Sequence, residues 1–405
     1  MREMKDSGIP WIGEIPKDWS VVPHKRVMYK VKEIQEHYNG ENILSLTMRG
    51  VIVRDLEAGG KMPTSFDGYQ KVYPNNLLQC LFDIDVTPRC VGLIRNEGLT
   101  SPAYSQFAMY PNGYAPYYDY LLRYMDDRKT LLHLSKNLRS SLTETDFGAI
   151  YTCVPSSIEE QQRIAEFLDR KCAEVDEMFA LQEQIIEELK AYKQSVITEA
   201  VTKGLNPAAP MRDSGIEWIG QIPEHWEVKR LKYLCSIQTG NKDTQDADND
   251  GEYPFYVRSP FVERSTSYSF EGEGILMAGD GAGAGRVFHH AFGKYAVHQR
   301  VYRLSKFTDI NTKYLFFYIS NLFNRVMDMG SAQSTVPSVR LPMLTNFAVC
   351  SPSFNEQQTI SDYLDEKCVD IDSLIQTKQS KIDSLKEYKK SIIYEYVTGK
   401  REVNE

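Results

Sequence analysis

The stretch MKDSGIPWIGEIPKDW at residues 4–19 recurs as MRDSGIEWIGQIPEHW at 211–226, with eleven of the sixteen positions identical. A second pair lies further along the chain. CVPSSIEEQQRIAEFLDRKCAEVD from Cys153 returns as CSPSFNEQQTISDYLDEKCVDID from Cys350, one residue shorter near its start, so that Glu160 aligns with Glu356. Self-similarity over so long a period makes the chain two copies of one plan: a head, a block and a long polar-apolar segment. The blocks between the repeated parts, 20–152 and 227–349, share little sequence. A common frame therefore carries two different inserts.

The long segments have helical periodicity. Positions seven apart form rows: Ile164, Lys171, Met178, Ile185, Tyr192, then Leu168, Val175, Gln182, Leu189, Val196, then Cys172, Phe179, Ile186 in the first, with Leu364, Ile371, Lys378, Leu385, Ile392 beside Cys368, Ile375, Ile382 in the second. Pro155-Ser156 and Pro352-Ser353 supply starts, and Lys203-Gly204 and Gly399-Lys400 supply stops. Each helix is expected to run about 43 residues, or roughly 65 Å at 1.5 Å per residue. Lone helices of this length need a partner, and each is the obvious partner of the other, in an antiparallel or parallel coiled coil. The expected seam comprises Ile164, Leu168, Val175, Ile185, Leu189 and Val196 on the first helix and Ile360, Leu364, Ile371, Leu385 and Ile392 on the second. The resulting division is 1–153 for the first head and block, 154–204 for the first helix, 205–351 for the second head and block, and 352–405 for the second helix and tail.

Within each block, short β-type runs broken by Gly, Pro and Asn precede a helical pattern, so both blocks read as mixed α/β domains. In the first, VIVRDLEAG, KVYPNNLLQCLFDID, RCVGLIRNEGLTSPAY and SQFAMYP lead to YYDYLLRYMDDRKTLLHLSK; in the second, YPFYVRS, GEGILMAG, GRVFHH and KYAVHQRVYRLS lead to NTKYLFFYISNLFNRVMDMGS.

A length of 405 residues with 42% apolar and 11% aromatic content suffices for two or three cores. The 25 Gly and 18 Pro are near average use, which excludes disordered and collagen-like classes. Apolar stretches such as Tyr314–Ile319 fall far short of the roughly 20 residues that span a bilayer, and the start MREMKDSG has no apolar signal core. A cytoplasmic location without a membrane partner is expected. Seven Cys, at 80, 90, 153, 172, 235, 350 and 368, form no C-x-x-C pair, which fits reduced, buried thiols and implies neither a disulfide framework nor a metal site. The net charge of −8 is unevenly spread: 1–150 and 204–350 are each neutral, and the acidity lies in 151–203 and 351–405. Either block can still present a basic face to nucleic acid.

No catalytic constellation emerges. FEGEG at 270–274 and SPAY at 101–104 bear a weak likeness to methyl-donor and amino-methyltransferase motifs, but they lie in different repeat units and SPAY lacks a second Pro. FEGEG reads as a turn, and GDGAGAG at 279–285 as a hairpin or bulge between two strands, with DNA-backbone contact as the alternative. His289, His290 and His298 lack the carboxylate or thiol partners of a metal centre.

Binding is better represented. Arg and Gln pair bidentately with guanine and adenine edges, and Lys, Asn and Ser reach phosphates, so polar loops rich in these residues are candidate DNA contacts. The loop after the first block's helix holds Lys136, Asn137, Arg139 and Ser140; the loop after the second's holds Gln333 and Ser334; and Arg49, Arg54, Lys61, Arg258 and Arg264 lie in other polar connections.

The repeated D-S-G-I-x-W-I-G-x-I-P-x-x-W heads, and the P-S…E-Q-Q-x-I sequences that open the long helices, resemble the specificity subunit of type I restriction-modification systems over the whole chain. The resemblance implies an α/β (α+β) fold with two variable target-recognition domains, about 20–152 and 227–349 here, and two spacer helices, 156–203 and 353–399, paired as an antiparallel coiled coil in a pseudo-twofold internal repeat. It further implies a noncatalytic subunit whose domains each read half of a split, asymmetric site in double-stranded DNA. Two modification subunits carrying S-adenosylmethionine and two restriction subunits using ATP and Mg would be its partners, with no cofactor in this chain. VGLIRNEGLTSPAY and GILMAGDGAGAGRV differ enough to imply unlike half-sites. A bivalent coiled-coil scaffold that joins proteins without binding DNA is the competing expectation.

Overall fold

The computed structural model describes residues 2–58, 63–135, 140–330 and 337–403, the side chains of Met329 and Gly330 excepted. The chain forms two compact units, one of residues 1–182 with 380–405 and the other of 183–379. Each unit thus joins one head and one block to a part of both long helices, a partition that cuts across the four segments read from sequence.

The long helices are Ile158–Lys203 and Phe354–Val397. Their starts are capped alike: Ser157 Oγ accepts from Glu160 N at 3.2 Å, and Ser353 Oγ from Glu356 N at 3.3 Å. In the first unit the Phe167 and Tyr396 rings meet at 4.3 Å, and Lys389 Nζ donates to Asp176 at 2.6 Å. Contact positions rise on one helix as they fall on the other, so the segments are antiparallel. In the second unit Lys193 reaches Asp372 at 2.6 Å, and Ile197, Ala200 and Val201 share a core with Ile360, Leu364 and Cys368, again antiparallel.

Seven-residue rows do not stay buried along the whole of each helix. Ile164, Val175, Ile186 and Ile197 are buried at eleven-residue spacing, as are Ile360, Ile371, Ile382 and Ile393. Of the expected seam residues, Ile164, Leu168, Val175, Ile360, Leu364, Ile371, Leu385 and Ile392 are buried, whereas Ile185, Leu189 and Val196 are only half-buried. A straight helix drifts about 20° per heptad, so a seven-residue row walks off the seam, while eleven residues close three turns almost in phase. Met178 and Tyr192, at 51% and 58% exposure, show where the heptad row ends up.

Each block is clamped to its helix start by the repeated Glu-Gln pair. In the first unit, Trp19 Nε1 donates to both Glu160 oxygens at 3.2 Å, and Arg2 donates to the same carboxylate at 2.5 Å. Gln161 accepts from Tyr114 N at 2.8 Å and donates to Asn112 O at 3.0 Å, so it holds the start of the block helix Ala115–Asp127. In the second unit, Trp226 Nε1 donates to Glu356 at 3.0 Å, and Gln357 accepts from Asn311 N at 2.7 Å at the start of Thr312–Gly330. The block helices also bond to the ends of the long helices: Tyr117 OH donates to Val397 O at 2.7 Å, and Tyr314 OH to Val201 O at 3.1 Å.

Despite their unlike sequences, the blocks share a strand order. The first has an antiparallel sheet in the order Met28–Val31, Ser105–Met109, Leu77–Gln79, Val91–Leu93; the second has Ser236–Thr239, Val301–Ser305, Gly274–Ala278, Phe288–Ala291. What lies beside that sheet differs. The second block adds a four-stranded sheet of Glu263–Ser265, Tyr253–Tyr256, Lys294–Val297 and Phe270–Glu271, where the first has two antiparallel pairs, Leu44–Thr47 with Gly50–Val53 and Gln70–Val72 with Gly98–Thr100.

The eleven-residue seam makes a sharp prediction. Ile186→Ala should destabilise the protein by about 2–4 kcal/mol, and Ile185→Ala by less than about 1.5 kcal/mol, in urea midpoints. A loss at Ile185 equal to or larger than that at Ile186 would show that the Ile164–Ile185 row stays in the seam.

Candidate nucleic-acid interface

The second block brings three loops together around one carboxylate. Asp280, in the GDGAGAG loop, accepts from Arg258 Nη1 at 2.9 Å through Oδ1 and from Arg300 Nη1 at 2.6 Å through Oδ2. Arg258 follows the strand Tyr253–Tyr256, and Arg300 lies in the turn between Lys294–Val297 and Val301–Ser305. Burial pushes the Asp280 carboxyl up, but the hydrogen bonds from Arg300 and Arg258 outweigh it and hold the group below the usual carboxylate range. The aspartate is therefore charged at neutral pH.

The glycines explain how this carboxylate is delivered. A Cβ at Gly279 would lie 2.8 Å from the Arg300 carbonyl oxygen, and one at Gly283 would lie 2.6 Å from that of Arg258. Only a residue without a side chain lets the loop press against both arginine segments. Gly279 N donates to Arg300 O at 2.9 Å, and Gly281 N to Pro337 O at 3.0 Å, which fixes the loop from two sides. Next to Arg258, Phe261 is 80% exposed.

The other sequence candidates are scattered. Arg264 donates to the carbonyls of Gly251 at 2.7 Å and Glu252 at 2.9 Å, so its guanidinium is occupied in holding the chain. Arg49 sits exposed in the turn between Leu44–Thr47 and Gly50–Val53, with its amide on Thr47 Oγ1 at 3.1 Å. Arg54 follows the second of those strands, so the hairpin separates it from Arg49. Ser140 has φ 46°, and its carbonyl accepts from Ile84 N at 3.1 Å. Lys61, Lys136, Asn137, Arg139, Gln333 and Ser334 lie outside the described residues. Sequence reading singles out neither Asp280 nor Arg300; the available signal was one acidic residue inside a glycine loop that leads back to the strand before His298-Gln299-Arg300.

The remaining motifs resolve into packing. The Phe270 ring of FEGEG lies 4.7 Å under the Arg303 guanidinium, whose Nε donates to Tyr295 OH at 2.8 Å. His289 contacts Ser259 O at 3.1 Å, His290 contacts Glu273 at 2.9 Å, and His298 Nδ1 accepts from Arg300 N at 3.0 Å, so each imidazole has its own partner. Among the described residues no group of three or more His, Cys, Asp and Glu is placed to hold a metal ion. All seven cysteines are free and buried.

Comparison with known proteins agrees with this architecture. The family described as Type I restriction modification DNA specificity domain matches residues 223–387. The EcoDI type I restriction enzyme specificity subunit of Escherichia coli is 28% identical over 174 residues, which cover 43% of this chain and 38% of that protein. The MjaVIII specificity subunit of Methanocaldococcus jannaschii is 25% identical over 267 residues, covering 60% of each. The chain thus spans between about a third and two thirds of the length of these two relatives. Among solved structures, a chain from a study of complex assembly and conformational transition of the type I R-M system superposes with a TM-score of 0.73 at 14% identity, covering 96% of this chain and 99% of that one. The HsdS subunit of Thermoanaerobacter tengcongensis gives 0.53 at 15% identity, covering 96% and 98%. The fold is that of these two solved chains. Residues 223–387 thus match that specificity-domain family, and the chain is similar to type I restriction enzyme specificity subunits.

The close approach of the glycine loop is testable on its own. Gly283→Ala should lower stability by about 1–3 kcal/mol in urea unfolding, because its Cβ would meet main-chain oxygen that cannot rotate away. A variant as stable as the wild type would show that the loop can retreat.

Proposed function

We propose that this chain is the noncatalytic, sequence-reading subunit of a type I restriction-modification complex, recognising a bipartite asymmetric site in double-stranded DNA. The observation that carries the reading is the pairing of one strand order with two dissimilar sequences: both blocks hang on the same Trp-Glu and Gln clamps, yet differ in the loops and secondary ladders that surround the shared sheet. A protein that must read two unlike half-sites needs such a constant frame with changeable contact loops. Few base-edge residues suffice, since a good bidentate contact discriminates by about 1–3 kcal/mol.

The partners in this reading are two modification subunits, which bring S-adenosylmethionine and methylate adenine, and two restriction subunits, which bring ATP and Mg. The chain itself holds no cofactor, and the assembly works in the cytoplasm. Among the described residues no helix is long and apolar enough to cross a membrane. The two antiparallel helices act as the ruler, so that their length sets the number of base pairs between half-sites.

Methylome sequencing of a host that expresses this chain with its cognate modification subunit, beside a host lacking the chain, tests the proposal. Methylated adenines should appear in one split motif only when the chain is present. A stable complex with an active modification subunit but no motif would favour the protein scaffold instead.

Inserting four residues after Gln182 tests the ruler separately. One extra turn adds about 6 Å, or one to two base pairs at roughly 3.4 Å each, and should lengthen the gap while both half-sites stay the same. A changed half-site with an unchanged gap would sink the ruler.

A further inference from the structure

We propose that Arg258 and Arg300, held as a fork by Asp280, read a guanine in the half-site of the second block. The inference rests on the DNA-reading function above and assigns that block one base and the residues that recognise it. Each arginine commits one Nη to Asp280, and among the described residues no other side-chain hydrogen bond engages either guanidinium. The remaining donors of each planar group match the O6 and N7 acceptors that guanine shows in the major groove.

Asp280 decides between a base and a phosphate. A phosphate brought to Arg300 would meet a carboxylate that already shares the guanidinium, and the two negative charges repel. A base edge carries acceptors without net charge and meets no such penalty. The carboxylate also fixes two long side chains before DNA arrives, which lowers the ordering cost of binding. The loop glycines serve this arrangement, because Gly279 and Gly283 let Asp280 reach between the two arginine segments. Asp280 is a positioning residue; the arginines make the contact.

The test uses the full chain with its modification subunit and reads the methylated motif. The wild type should show a G·C pair in one half-site. Arg300→Gln and Arg258→Gln should each admit other bases at that position, with discrimination falling on the order of tenfold or more, while the other half-site and the gap are untouched. Arg300→Lys should not restore the preference, since an ammonium lacks the fork. Asp280→Asn should relax the same position and no other. Arg300 is largely exposed, with its side chain at 61%, so its replacement leaves the core intact, and a melting curve on each variant verifies the fold. Methylation that weakens uniformly with the motif unchanged would reveal a phosphate contact and overturn the inference, as would an unaltered motif. A wild-type chain that produces no motif at all would instead overturn the DNA-reading function, which separates the two failures.

Discussion

An indole N–H buried without an acceptor costs about 1–3 kcal/mol, so the two buried tryptophans of the repeated heads constrain everything around them. Each finds its acceptor on a glutamate in the first turn of a long helix, Glu160 for Trp19 and Glu356 for Trp226. A glutamate there already complements the helix dipole, and Arg2 adds a second charge to Glu160. Burial pushes the Glu160 carboxyl up, yet the bonds from Arg2, Ser156 and Trp19 bring it below its ordinary value, so the clamp is charged at neutral pH and weakens only as the pH falls through that lowered pKa. The neighbouring glutamine extends the constraint, because Gln161 and Gln357 each take the amide of the residue just before a block helix. Head, long helix and block are thus tied at one point in each unit.

From that point outward the blocks are free to differ. The shared four-stranded sheet keeps its order in both units. Beyond it, the first block has short ladders and the second a further sheet, whose neighbouring loops place Arg258, Asp280 and Arg300 together. The division separates a conserved task, holding helices and heads, from a variable one, presenting contact loops. It accounts for two blocks with little common sequence on one plan.

Much of this was open to reading from residues alone. The strand-then-helix order of each block followed from β-type runs and turn residues, and the ends of the long helices from their Pro-Ser starts and Gly stops, because these signals act within a few residues. The seam was partly misread. Counting by sevens put Ile185, Leu189 and Val196 in the seam, where they are only half-buried, while Ile186, from the third row, and Ile197 are buried. Among the candidate contacts, Arg258 emerged in a three-loop cluster and Arg264 in main-chain support. Nothing local distinguishes them, since both are arginines in polar connections.

The repeated heads, the two long helical segments and the likeness to DNA specificity subunits are properties of the one-dimensional chain, because recurrence and periodicity survive without any long-range contact. The partners of buried polar groups are not. That Glu160 meets Trp19 across 141 residues, that Tyr117 bonds Val397 across 280, and that Asp280 gathers Arg258 and Arg300 from two other loops depends on how strands and helices close in space. Spacing in sequence carries no record of such meetings, and the desolvation cost that enforces them arises only once the core has formed.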